Sequence, residues 1–246
     1  MNGFDPRKPY DELPLLPPET QRTESVAILK QEAKALAALG ELKGVAKIIP
    51  NQSILINAVV LQEAQDSSEI ENIITTRDEL YRAMSQGSKV SDAQTKEVMH
   101  YREALFAGFQ RIKERGILTI SDIVAIQEIL VRNDAGIRAQ PGTALVNDKT
   151  SQVIYTPPLG VEKINRLLGN LVDYLHGSDD SLSKLAILHY QFESVHPFYD
   201  GNGRTGRIVN VLYLVMKGYL DIPILYLSSY IISNRPKYYS LLLGVT

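Results

Sequence analysis

The sequence predicts an all-α fold, mainly helical, carrying one short β-hairpin flap. Three observations lead there. Leu182, Leu185, Leu188, Phe192 and Val195 recur at the three-to-four-residue spacing of a single buried helix face. The run "RIVNVLYLVMKG" is apolar nearly all round, as a central helix is, and stops at Gly218. Only "GTALVNDKTSQVIYTPP" alternates apolar and polar residues around an Asn-Asp-Lys turn, which predicts a hairpin over 143–156.

The other elements follow in order. Residues 5–20 hold five prolines, so they read as an extended arm on the surface. Ala, Leu, Lys and Glu then predict a helix from Glu24 to Leu42, with a break bracketed by Gly44 and Pro50. A second helix is expected from Ser53 to Gln65. "DSSEIENIITTRDELYRAM" predicts a third, with Ile70, Ile73 and Ile74 on one side. "SQGSKVSDAQT" reads as a linker, which divides the chain into an N-terminal region, 1–90, and a core, 91–246. Helices are expected at 92–114, at 121–131 with Ser121 as N-cap, at 161–175 and at 181–195, and two more close the sequence.

Bulk properties narrow the function. In 246 residues, 44% hydrophobic and 22% charged composition is that of a globular protein. A net charge of −2 supplies no general field for nucleic acid. The absence of cysteine excludes disulfides, thiolate zinc sites and a cysteine nucleophile. The N-terminus lacks an apolar secretory core, and "IVNVLYLVM" is too short to span a bilayer. A soluble, cytoplasmic protein is expected. The apolar run "KYYSLLLGVT" at the end suggests a piece of a longer chain.

Chemistry is concentrated in "HPFYDGNGRTGR", His196 to Arg207. Gly201, Asn202 and Gly203 sit where a helix would begin, and free amides at a helix N-terminus bind anions. Arg204 and Arg207, with Thr205 and Gly206 between them, oppose the helix dipole there, a conflict that an anionic ligand resolves. The bland alternative is a helix–helix turn with surface arginines. Asp200 suits a divalent cation beside phosphate, or else an N-cap. His196 suits a general base, or else a helix C-cap. His189 lies two helical turns earlier, roughly 10 Å away, and reads as structural. A base, a metal ligand and a phosphate cradle in one loop are what attack on a phosphorus centre requires.

These twelve residues match every fixed position of the signature His-Pro-Phe-x-Asp-Gly-Asn-Gly-Arg-x-x-Arg, and the chain resembles the Fic family. "PYDELPLLPP" and "SQVIYTPP" resemble that family's N-terminal opening and flap hairpin. The resemblance implies a helical core and transfer of AMP from ATP to a Ser, Thr or Tyr hydroxyl of a target protein, the chain itself included. His196 would then deprotonate the hydroxyl, and Asp200 would hold Mg²⁺. The amides of Gly201, Asn202 and Gly203 would receive the phosphates, and Arg204 and Arg207 would contact the β- and γ-phosphates. Val153, Ile154 and Tyr155 would pair with an extended target segment by strand addition. Tyr238 and Tyr239 match a pair near the family's adenine pocket, although tyrosines on an apolar helix are also core residues.

"SSEIEN" resembles the family's inhibitory motif, [Ser/Thr]-x-x-x-Glu-[Gly/Asn]. Ser67, Glu71 and Asn72 are its constrained positions, and the resemblance implies that Glu71 pairs with Arg207. Ser68 and Glu71 also fit a capping box, which would turn Glu71 back to its own helix N-terminus. Removal of AMP through the same residues, or a nucleotide-binding module without catalysis, stays open. So does a homodimer. No membrane partner is expected, nor a nucleic acid for this chain alone.

Overall fold

The computed structural model describes residues 4–86, 92–147, 150–179 and 181–246. Eleven helices and one hairpin appear among them: α1 (Thr20–Thr23), α2 (Val26–Ile48), α3 (Gln52–Ile70), α4 (Arg77–Gln86), α5 (Ala93–Arg115), α6 (Ile120–Val131), β1 (Leu145–Val146), β2 (Val153–Tyr155), α7 (Val161–His176), α8 (Leu182–Val195), α9 (Asn202–Met216), α10 (Leu227–Ser233) and α11 (Arg235–Val245). This is the mainly helical architecture with a short flap that the sequence predicts. The linker position near residue 90 and part of the hairpin turn (Asp148, Lys149) lie outside the described residues.

The apolar run after the signature is the central helix. Ile208, Val209, Val211, Leu212, Tyr213 and Leu214 of α9 are all buried. Helices α5, α6, α8 and α3 surround it, α7 backs α8, and α3 also lies across α5 and α10. Gly108 sets how closely α5 can approach. A side chain there would strike Leu212 of α9 and the Ile126 methyl, 2.9 Å from where its first carbon would stand. Gly108→Leu is therefore expected to cost about 1–3 kcal/mol through overpacking, read as a lower thermal midpoint with helical circular dichroism retained.

Local chemistry explains several helix ends. Ser25, Asn51, Asp92 and Ser181 cap α2, α3, α5 and α8 by accepting from the backbone three residues on. Gly116 closes α5 in the left-handed region, φ 69°.

Three expectations need correction. Helix α2 runs through Gly40 and Gly44 and stops only at Ile49, before Pro50. Glycine merely lowers helix stability, whereas proline restricts the residue before it. The cap of α6 is Thr119, not Ser121, in a reciprocal capping box with Asp122. The third discrepancy bears on function: the helix expected over 66–84 is broken. Helix α3 ends at Ile70, α4 begins at Arg77, and Ile74 is exposed.

That break is a Schellman motif. The amide of Ile73 donates to the Ser68 carbonyl at 3.0 Å and that of Asn72 to Glu69 at 3.0 Å. Asn72 takes the left-handed conformation, φ 62°, which asparagine tolerates and β-branched residues do not. Glu71 is thereby the C-cap of α3, its side chain leaving the helix end. The capping-box alternative at Ser68 is overturned, because Ser68 lies in the last turn of α3, not at a helix start.

The N-terminal arm lies against the flap. Tyr10 N–H donates to the Thr156 carbonyl at 2.9 Å, and the Phe4 and Tyr10 rings contact Tyr155. The hairpin pairs Leu145 with Tyr155 and Val146 with Val153 across an irregular register.

Candidate active site

The signature forms the turn from α8 into α9. Its first residue, His196, ends α8 in the left-handed region, φ 47°, and its amide donates to Phe192. Gly201 is the N-cap of α9, φ 78°, with Val131 2.8 Å from where a side chain would begin. Glycine is therefore required there on two counts. Asp200 is not the cap. Its largely exposed carboxylate accepts from the Gly201 amide at 2.6 Å and lies 3.4 Å from Arg204.

Asn202 has a role that glycine spacing does not reveal. Its side-chain oxygen accepts from Phe198 N–H at 2.8 Å and its NH₂ donates to the Phe198 carbonyl at 2.8 Å. This reciprocal pair locks the turn and leaves the first amides of α9 facing outward.

Neither arginine is a surface residue. Arg204 is buried and pairs with Glu97 of α5 at 2.9 Å. Arg207 is buried too. It donates to the Ser67 hydroxyl at 2.8 Å, the Ser67 carbonyl at 2.9 Å and the Glu71 carboxylate at 2.6 Å. The anion that two arginines at a helix N-terminus require is thus supplied by the protein's own carboxylates. Glu71 also stands over the glycine turn, since a side chain on Gly203 would strike its carboxylate. Partial burial pushes the Glu71 carboxyl up, but Arg207, with Arg204 and Arg235 beyond it, outweighs this and holds it below the usual range.

One cavity gathers what the sequence scattered. Glu71, Gly203, Arg207 and His196 line it together with Ile154 and Tyr155 of the flap and Tyr238 and Tyr239 of α11. Val153 is in β2 but not in this lining. The Tyr238 hydroxyl is 2.7 Å from the His189 ring nitrogen, so the histidine read as structural steadies a cavity tyrosine. Burial lowers the His189 pKa to about 3, Arg207 adding to the effect. Burial likewise lowers His196 to about 4, with the Arg138 charge contributing. Its Nδ1 is buried.

Two further residues escaped sequence reasoning. Glu193 of α8 lines the cavity, and burial raises its carboxyl to about 7 against the pull of Arg207. Arg138 is buried and holds backbone carbonyls on either side of the site. A buried Glu in an apolar helix carries no motif. Arg138 stands in a loop where an arginine is ordinarily exposed.

A magnesium ion prefers one or two carboxylates with phosphate oxygens and water. The exposed Asp200 carboxylate beside the amide turn fits that demand. Among the described residues no group of three or more His, Asp or Glu could cage a metal without a phosphate ligand. No helix among them is long and apolar enough to cross a membrane.

A helical core, a flap and a glycine turn followed by two buried arginines define a class, and comparison with known proteins names it. The Fic/DOC family profile matches residues 117–214 and the Fic/DOC family N-terminal profile residues 29–110. The chain belongs to the Fic/DOC family. It is similar to protein adenylyltransferase fic-1 of Caenorhabditis elegans, 30% identical over 113 residues, which is 44% of this chain and 21% of that protein. It is also similar to a probable protein adenylyltransferase of Aquifex aeolicus (strain VF5), 37% identical over 81 residues, 32% of this chain and 23% of that protein. The matched segments thus span less than a quarter of these relatives. Among solved structures, a Fic family protein from Desulfovibrio desulfuricans G20 superposes with a TM-score of 0.71 at 25% identity, covering 92% of this chain and 68% of that one. A Fic-1 fragment from C. elegans gives 0.67 at 20% identity, covering 91% and 68%.

Proposed function

We propose that this chain is a protein adenylyltransferase that moves AMP from ATP to a Ser, Thr or Tyr hydroxyl of a target protein, and that Glu71 restrains it. The observation that carries this reading is the Arg207–Glu71 pair, 2.6 Å long, at the mouth of a glycine turn that shares its cavity with His196.

The amides that open α9 and the guanidiniums of Arg204 and Arg207 bind the triphosphate. Asp200 would hold Mg²⁺, which would neutralise phosphate charge. Burial keeps His196 in the neutral form, the form able to accept the hydroxyl proton. The hydroxyl oxygen bonds to the α-phosphorus, the bond to the β-phosphate bridge breaks, and pyrophosphate leaves. The Ile154–Tyr155 strand lies at the cavity rim, which suits pairing with an extended target segment. Tyr238 and Tyr239 offer ring faces to the base.

Restraint follows from shared partners. A carboxylate on Arg207 and above Gly203 occupies the cation and the space that a γ-phosphate needs. Asn72 holds that carboxylate in place through its left-handed backbone. Asn72→Val is expected to disrupt the end of α3 and raise transfer, while Asn72→Gly keeps the restraint. Self-labelling with α-labelled ATP checks both.

The reading is tested by intact-mass spectrometry after incubation with ATP and Mg²⁺. A gain of one AMP unit on a hydroxyl residue supports it. No gain on the parent chain, on a Glu71→Gly variant or on added protein substrates contradicts it. Parallel incubations with GTP, CTP and UTP read the nucleotide preference.

A further inference from the structure

His196 must hold a backbone conformation that costs a non-glycine residue about 1–3 kcal/mol unless its surroundings over-determine it. The surroundings here are largely Arg138, which lies outside the signature. Its Nε donates to the His196 carbonyl at 2.7 Å, and one terminal nitrogen donates to Val195 at 3.2 Å and to Pro158 at 2.6 Å. Its amide donates to the Pro197 carbonyl at 2.9 Å. The amides of Ala139 and Gln140 then reach the Tyr199 hydroxyl at 2.9 and 3.1 Å. Backbone and side chain of this one arginine therefore bracket the start of the signature. Pro158 follows the flap strand β2 by three residues, and Tyr155 of that strand donates from its hydroxyl to the Ser194 carbonyl at 2.8 Å.

The side chain is 2% exposed, and among the described residues no carboxylate lies within ion-pair distance. A buried, unpaired cation is costly. It is held by a fork of carbonyls that a compact ammonium could not span. A simple helix C-cap would need only the carbonyls of α8, and this one also takes the flap's.

We propose that Arg138 is a positioning residue which fixes the His196 backbone and ties the imidazole to the outer end of the flap. This rests on the transferase reading only for its effect on the reaction rate. The groups that act on the imidazole are the charge of Arg138 from the loop before the flap, the backbone of Glu193 from α8, and the carboxylates of Glu71 from the end of α3 and Asp200 from the signature. Arg207 and the phenols of Tyr155, Tyr190, Tyr238 and Tyr239 line the same cavity. Arg138 is the positive charge that favours the neutral imidazole after burial itself, so it aids both the placement and the protonation state of the base.

The test has two independent readouts. In the first, histidine-ring NMR follows the titration of His196 in the full chain, assigned by comparison with His196→Ala. The parent resonance is expected to titrate near pH 4. Arg138→Gln should move it upward, and Arg138→Lys should restore it by keeping the charge. In the second, AMP transfer and Mg-ATP binding are measured in the Glu71→Gly background. Both Arg138 variants are expected to lose about tenfold or more of transfer, with ATP affinity kept within about threefold. Unchanged His196 titration in a folded Arg138→Gln variant overturns the proposal, as does full transfer by Arg138→Lys. Should Arg138→Gln fail to fold, the split between transfer and binding in Arg138→Lys decides. If Glu71→Gly transfers nothing while the titration shift is still seen, the transferase reading fails and the positioning role stands.

Discussion

Replacing Glu71 by glycine is expected to raise AMP transfer about 10- to 100-fold, and to strengthen productive ATP binding with it. The size follows from what the glutamate holds. A hydrogen bond to a charged group contributes about 1.5–3 kcal/mol, and each 1.4 kcal/mol is a factor of ten. Arg207 gives one such bond to Glu71 and keeps its bonds to Ser67 after the substitution. The side chain of Glu71 remains 34% exposed, so water screens part of the attraction and the lower half of the range is favoured. Glycine is the informative replacement. It clears the carboxylate from above Gly203, and at a helix C-cap it adds no new side chain to the cavity. Transfer from labelled ATP, to the chain itself and to added proteins, checks this. Equal labelling of variant and parent would remove the restraint from the account.

Replacing His196 by alanine is expected to lower transfer about 10²- to 10⁴-fold, the usual worth of a positioned general base. Measured in the Glu71→Gly background, the loss should fall on the chemical step and leave ATP affinity nearly unchanged. The proposed phosphate-binding groups are the α9 amides, Arg204 and Arg207, and His196 is not among them. The pH profile carries the same content. With a pKa of about 4, the imidazole is already in its base form at pH 6. Transfer should therefore hold steady from pH 8 down to about pH 5 and fall below that, where the ring takes a proton. A profile that falls already between pH 7 and 6 would mean that the ring titrates as a solvated histidine does.

How much of this was legible beforehand depended on how local the signal was. The turn from His196 to Arg207 was readable because its chemistry lies in twelve consecutive residues, and α9 because a helix buried on every side leaves an unbroken apolar run. Asn72 was harder to read. Its position after Glu71 fits the motif, but periodicity alone carried the helix through it, since Ile70, Ile73 and Ile74 keep helical spacing. The left-handed Asn72 won over that pattern by closing α3 with two backbone bonds. Ser121 and Thr119 were a closer contest: both are good caps, and the reciprocal bond from Asp122 decided for Thr119. Apart from Glu71 on Arg207, which the family resemblance implied, partners distant in sequence left no local signal. Glu97 on Arg204, His189 on Tyr238's hydroxyl across the cavity wall, and Arg138 on the His196 carbonyl are products of tertiary packing.

The fold also explains how the proposed restraint is seated. Glu63 of α3, fully buried, accepts from the amide and hydroxyl of Ser228 on α10 at 2.9 and 2.6 Å. The Tyr226 hydroxyl donates to Asp66 at 2.6 Å, and Arg235 donates to the Asn72 side chain at 3.3 Å. The C-terminal part of the helix capped by Glu71 is thus anchored to α10 and its surroundings.

The central claim is that the α8–α9 turn receives the triphosphate while His196 faces the incoming hydroxyl. A crystal structure of the Glu71→Gly variant soaked with magnesium and a non-hydrolysable ATP analogue tests it most directly. The account predicts phosphates against the amides of Gly201 to Arg204, Arg207 turned onto the terminal phosphate, and the α-phosphorus beside His196. Nucleotide bound elsewhere, or a turn left empty at saturating ligand, would contradict it.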